Sequence, residues 1–90
     1  MAYEWNPAKN LANLAKHGRR LCGAIAVFED DLALTRPHPD LRGEHHFLTL
    51  GVDAFGRHLV VVFTERAARI RVISARLATK QERKTYETGV

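Results

Sequence analysis

An α+β fold, a small antiparallel sheet packed with helices, is predicted by three features of the sequence. Three runs rich in β-branched and aromatic residues, 46–52, 58–64 and 70–76, follow one another with short links, which is the spacing of a meander. The middle run, Leu59-Val60-Val61-Val62-Phe63, is apolar on both alternating faces, so it belongs at the centre with helices over at least one side. Helix punctuation flanks these strands: Asn6-Pro7 opens a helix near the start, and Thr79-Lys80-Gln81-Glu82 has the form of a capping box near the end.

Tyr3 to Trp5 reads as a short N-terminal strand, with Trp5 anchoring the core against the first helix. That helix runs from Pro7 to the stop at Gly18. Leu11, Leu14 and Ala15 form its apolar face and Lys9, Asn13 and Lys16 point largely to water. His17, just before the glycine, suits the negative end of the helix. Leu21, Ala24, Ile25 and Phe28 predict a second helix that Gly23 weakens and Asp30-Asp31 closes, with Cys22 as a packing residue. Pro37-His38-Pro39-Asp40 with Gly43 reads as a loop, the segment expected to move most. The last helix reaches about Glu87. The expectation is therefore three main strands, a short N-terminal strand, two N-terminal helices and a short C-terminal one, in a single domain spanning 1–90.

The chain has 90 residues, a formal charge of +4, one cysteine and no apolar run longer than Leu59–Phe63. One cysteine excludes an internal disulfide, and so short an apolar run excludes a membrane-spanning helix. A cytoplasmic protein with no membrane partner is expected, since the N-terminus lacks the pattern of a secretory signal. Excess positive charge favours a polyanionic partner, because each neutralised phosphate releases counterions.

That charge is concentrated from Glu65 to Lys84. Arg66, Arg69, Arg71, Arg76, Lys80, Arg83 and Lys84 stand there against Glu65 and Glu82 alone. Strand alternation puts Arg69, Arg71 and Ile73 on one face and Ile70, Val72 and Ser74 on the other, so Arg69 and Arg71 converge. Tyr86 follows Glu82 by four and Arg83 by three, and so shares the surface of the last helix. RNA cleavage without a metal needs a base for the 2′-hydroxyl, cations for the crowded phosphorane and an acid for the leaving oxygen. Guanidinium groups suit the second role and are poor bases, which leaves Lys80, Tyr86, Glu65 or a histidine to move protons. His45 and His46 are adjacent in an extended segment and point to opposite faces, so they make a poor metal pair; neither metal nor cofactor is expected.

Several stretches resemble the BrnT family of toxins. They are Glu4-Trp5-Asn6-Pro7-Ala8-Lys9-Asn10, Asn13-Leu14-Ala15-Lys16-His17-Gly18, Val27-Phe28, Leu59-Val60-Val61-Val62, Thr64-Glu65-Arg66, Ile70-Arg71-Val72-Ile73-Ser74-Ala75-Arg76, Ala78-Thr79, Glu82-Arg83 and Tyr86-Glu87. The resemblance covers nearly the whole chain. It implies a RelE-like fold, a ribonuclease that inhibits translation, and neutralisation by a BrnA-like antitoxin with a ribbon-helix-helix part. Operator DNA would be contacted only through the complex with that antitoxin. By position the family's basic sheet and terminal-helix residues fall on Arg71, Arg76, Lys80, Arg83 and Tyr86, with Glu65 and Arg66 nearby. Together with the charge pattern, the expected catalytic set is Arg71, Arg76, Lys80, Tyr86 and Glu65, and RNA contacts are expected from Arg66, Arg69, Arg83, Lys84 and His46.

Two departures from the family pattern stand out. Arg19-Arg20-Leu21-Cys22-Gly23 replaces a run that usually caps the second helix, so that helix is expected to be less regular. His46 and Leu77 stand where relatives often carry arginine, so phosphate contacts there would be weaker. The alternative is a non-catalytic basic module that binds an acidic antitoxin or nucleic acid. A DNA-binding regulator is disfavoured, because no helix-turn-helix pattern with a recognition helix is present.

Overall fold

Asn6 opens the first helix as its composition dictates: its side-chain oxygen accepts from the backbone N–H groups of Ala8 and Lys9. The computed structural model describes residues 2–38 and 45–89. In order these form β1 (Ala2–Trp5), α1 (Pro7–His17), a 3₁₀ segment (Leu21–Glu29), β2 (Leu34–His38), β3 (His46–Val52), β4 (His58–Arg66), β5 (Arg69–Leu77) and α2 (Lys80–Thr88). The strands make one five-stranded sheet in the order β1-β5-β4-β3-β2. The three expected strands do form an antiparallel meander with β4 central, but the sheet is mixed, because β1 pairs parallel to β5.

β2 is the strand that the sequence reading missed. Pro37 and His38, expected in a loop, pair with Phe47 and His46. Pro37 is tolerated because β2 is the sheet edge, where a missing N–H breaks no second ladder. The rest of that predicted loop, Pro39, Asp40 and Gly43, lies outside the described residues.

α1 and the 3₁₀ segment cover one face. The second helix is 3₁₀, not α, and its buried residues explain why. Leu21, Ala24 and Val27 recur every three residues and are fully buried, which matches three residues per turn. Its capping position, Arg20, offers no side-chain bond, and Asn10 of α1 accepts from the Leu21 N–H at 2.7 Å instead. Cys22 does not pack inside; it is exposed. The segment then passes close over β3 at Gly51, where a Cβ would lie 3.0 Å from Val27 Cγ1 and 3.2 Å from the Ala33 Cβ.

The core joins these residues to Leu59, Val61, Phe63, Ile70, Val72 and Ala75. An aromatic series crosses it, Tyr3 to Phe28 at 5.4 Å, Phe28 to Phe63 at 5.0 Å and Phe63 to Phe47 at 5.5 Å between ring centroids. Trp5 packs against this core as expected.

α1 is turned differently from its apolar pattern. Leu11 is 64% exposed, whereas Asn13 is buried. Asn13 Nδ2 donates to the carbonyls of Ala75 and Arg19, both at 2.9 Å, and Asn13 Oδ1 accepts from the Ala75 N–H at 3.0 Å. β1 pairs only with Arg69 to Val72 of β5, so the edge of β5 beyond it would present unpaired backbone. Asn13 completes that edge with one amide.

The register also slips between Val62 and Phe63, which face Ser74 and Val72. Ile73 is the extra residue of a β-bulge. Beyond it the faces exchange, so Ser74 lies on the same side as Arg71, opposite to its placement by simple alternation. Ala75 turns into the core, and Arg76 joins Arg71 and Ser74 on the outer side.

Replacing Asn13 by Ala leaves three backbone groups without partners, the two of Ala75 fully buried and the Arg19 carbonyl partly so. At about 1 kcal/mol or more for each, the expected loss is about 3 kcal/mol, read as a lower denaturant midpoint with an unchanged slope.

Candidate functional site

The outer face of the sheet carries the candidate chemistry, and the strand registers order it into rows. Leu34, Leu50, Val60 and Arg76 form one row. Arg36, Leu48, Val62 and Ser74 form the next. In the third, His38 faces His46, Thr64 faces Arg71, and Arg71 faces Glu4. His46 lies on this face because it is two residues from Leu48. The third row is thus polar across all five strands.

α2 lies over the opposite end. A cleft of about 300 Å³ beneath it is lined by Leu34, Leu50, Val60, Arg36, Glu82 and Thr85 among others. Two locks hold the helix down. Arg76 donates to both oxygens of Glu82, at 2.7 and 3.0 Å, while Glu82 Oε1 also accepts from the Thr79 N–H to complete the capping box. Tyr86 donates to Asp30 at 2.6 Å and meets the His58 ring edge-on at 5.0 Å.

These locks set the protonation of their members. The Arg76 guanidinium, first of all, holds the Glu82 carboxyl down at about 2, and Glu82 in turn raises Arg76. Burial works against the Asp30 charge, but the Tyr86 hydroxyl and the N–H groups of Leu32 and Val52 outweigh it and lower its pKa. The same Asp30 bond, aided by burial, pushes the Tyr86 phenol up to about 12. A phenol so held is a poor base at neutral pH.

The other end of the face is different. Arg66 and Arg69 are the paired residues that close the β4–β5 hairpin, and Arg71 follows two residues along on the same side. Arg71 Nη2 lies 3.6 Å from Glu4 Oε2, and its Nε is buried without a hydrogen-bond partner. The turn itself is strained: Ala67 and Ala68 both have positive φ, 47° and 65°, a conformation that two-residue hairpins normally give to Asn-Gly.

The candidates therefore do not meet in one hollow. Arg66, Arg69, Arg71 and His46 share the open end of the face. Arg76 is on that face too, but its β4 partner Val60 is four residues from Thr64, about 13 Å along the strand, and its charge is matched by Glu82. Tyr86 sits against His58, six residues from Thr64, about 20 Å away. Lys80, Arg83 and Lys84 are exposed on the solvent side of α2. Glu65 pairs with Ile70, which places it on the helix-covered side of the sheet, away from Arg71. Glu4, His38 and Thr64 belong to the polar row and were not foreseen. Parallel pairing of β1 beside Arg71 brings in Glu4, and the missed strand β2 brings in His38.

A family model described as "Ribonuclease toxin, BrnT, of type II toxin-antitoxin system" matches residues 5–82. The chain belongs to the BrnT family. In structure it is similar to the Brucella abortus ribonuclease toxin BrnT, solved in a 1.1 Å crystal structure, with a TM-score of 0.67 and 23% sequence identity over 89% of this chain and 100% of that one. No curated protein matches the chain. Family membership makes it a ribonuclease toxin of a type II system, with an antitoxin as partner. Among the described residues no helix is long and apolar enough to cross a membrane, and no cluster of His, Cys, Asp and Glu could hold a metal ion.

Two outcomes follow from these BrnT features. Glu82, Asp30 and Asp53 all have lowered pKa values in the fold, so their contribution to stability is full above the ordinary carboxylate range and is lost as pH falls through it. Stability should decline from about pH 4.5 towards pH 2, and Glu82→Gln should flatten the lower part of that profile, as measured by denaturation at stepped pH. Separately, Ala67→Asn with Ala68→Gly should raise stability by about 1 kcal/mol, seen as a higher Tm, because both residues accept positive φ more readily.

Proposed function

We propose that this BrnT protein cleaves RNA internally and without a metal, at the open end of the outer sheet face, with Arg71 as the principal phosphate-stabilising group. One observation carries the reading: Arg66, Arg69 and Arg71 cluster beside a row holding Glu4, Thr64, His38 and His46, while Arg76 is neutralised by Glu82.

In the reaction the 2′-hydroxyl loses its proton and attacks the adjacent phosphorus, and the 5′ oxygen leaves with a proton. The products are a 2′,3′-cyclic phosphate and a 5′-hydroxyl end. Arg71 meets the growing charge on the non-bridging oxygens through the exposed part of its guanidinium, which Glu4 approaches only to 3.6 Å. Arg66 and Arg69 hold neighbouring phosphates and set the position of the strand. Glu4 and the two histidines of the row are the groups placed to accept and return protons. In this assignment Arg76, Lys80 and Tyr86 act in placing α2, and Arg83 and Lys84 add only general attraction for RNA.

The substrate and partner follow from the same reading. RNA cut in the cytoplasm halts translation, and a BrnA-like antitoxin with a ribbon-helix-helix part restrains the toxin and carries the complex to operator DNA.

RNA incubated with the purified chain and EDTA should be cut, with ends of the stated chemistry. Arg71→Ala should slow cutting by about 10²- to 10³-fold, whereas Tyr86→Phe should leave the rate within a few-fold and lower stability instead. Intact RNA under these conditions, or equal losses in both variants, would remove the assignment. Binding without cleavage would favour a non-catalytic basic module.

A further inference from the structure

The opposite face of the sheet carries a second cleft, of about 280 Å³, between the end of α1, the 3₁₀ segment and the β3–β4 turn. Its floor is Leu59 and Ala75, and Arg19, Arg20, Arg57 and Cys22 stand around it. Asp53 is the acid there, and it is fully engaged: it accepts from the N–H groups of Phe55 and Arg57 and from Arg57 Nε, each at 2.9 Å. One carboxylate thus matches one of three guanidinium groups. Arg19 Nε is moreover buried with no hydrogen-bond partner, a donor whose lost hydration nothing within the fold replaces.

The rim is apolar. Phe55 is 83% exposed, with the Arg57 guanidinium 5.1 Å from its ring centroid. Leu77, which pairs with Leu59 and so faces the same side, is 53% exposed. Aromatic and leucine anchors beside arginines are the composition of a protein-binding surface. An RNA strand on the Arg71 face would have to wrap around a sheet edge to reach this cleft.

We propose that this cleft docks an acidic segment of the antitoxin, its carboxylates meeting Arg19 and Arg20 and its apolar residues meeting Phe55 and Leu77. The assignment rests on the toxin–antitoxin reading and adds the surface: the partner is anchored on the face opposite the catalytic row, so anchoring and cleavage are separable.

Cys22 gives a direct test, being the only cysteine of the chain and exposed at the cleft. The purified product of the adjacent gene is titrated by calorimetry into the unmodified chain, into the chain alkylated at Cys22 with a bulky maleimide, and into Arg20→Glu and Arg71→Ala. RNA cleavage is measured on the alkylated and Arg20→Glu forms. Alkylation and Arg20→Glu should each weaken association at least tenfold with cleavage unchanged, and Arg71→Ala should leave association unchanged. Full affinity in both cleft-modified forms overturns the proposal, as does loss of RNA cleavage with association intact, which would assign the cleft to RNA. A gene product that fails to bind even the unmodified chain overturns the toxin–antitoxin pairing itself, and the docking surface with it.

Discussion

One extra residue in β5 determines which side chains meet on each face of this protein. With strict alternation, Arg71 and Arg76 would lie on opposite sides, since they are five apart. The bulge at Ile73 cancels that offset, turning Ala75 into the core and Arg76 outward. A bulge leaves backbone unpaired, and here it falls where β1 has already ended. Asn13 takes up both backbone groups of Ala75 and so fixes α1, the edge of β5 and the change of face together. The helix is rotated accordingly, with an asparagine inward and Leu11 in solvent.

The arginines divide by how well the fold itself satisfies them. Arg76 meets Glu82 in a two-pronged pair at 2.7 and 3.0 Å, and the same carboxylate caps α2, so a single acidic residue starts the helix and ties it to the sheet. Arg57 meets Asp53 at 2.9 Å inside a turn built around that aspartate. Arg71 reaches Glu4 only at 3.6 Å. A group held closely by its own carboxylate offers little to a phosphate, because the existing pair must first be given up. By this measure Arg71 is available and Arg76 is not, although composition treats them alike.

Much of the fold could be read from local pattern. The caps at Asn6 and Thr79, the stop at Gly18 and the apolar run of β4 are signals within a few residues of what they control, and each is found where it was placed. The misses are non-local. β2 contains Thr-Arg-Pro-His, which has no strand character of its own and becomes a strand because β3 offers it an edge. Asn13 looked like a surface residue because Ala75, the residue that holds it in the core, is 62 positions away. The 3₁₀ segment could have been recognised from the spacing of Leu21, Ala24 and Val27, but that spacing competes with an equally good α-helical stripe through Ile25 and Phe28. The site suffered in the same way. The basic cluster was visible, yet Glu4 and His38 enter it through β1 and β2, and Glu65 leaves it because adjacent residues of a strand face opposite ways.

Local costs at the hairpin tip bear on where the chemistry lies. Arg66 and Arg69 oppose each other across a turn of two alanines in left-handed conformation, an arrangement worse for stability than the Asn-Gly turn that the same backbone would accept. A sequence in which the buried acids are bonded and both α-helices are capped departs from local consistency at this hairpin tip, next to the polar row. Departures of this kind persist when another requirement acts on the same residues. On the proposed reading, that requirement is contact with RNA at the hairpin tip, beside Arg71.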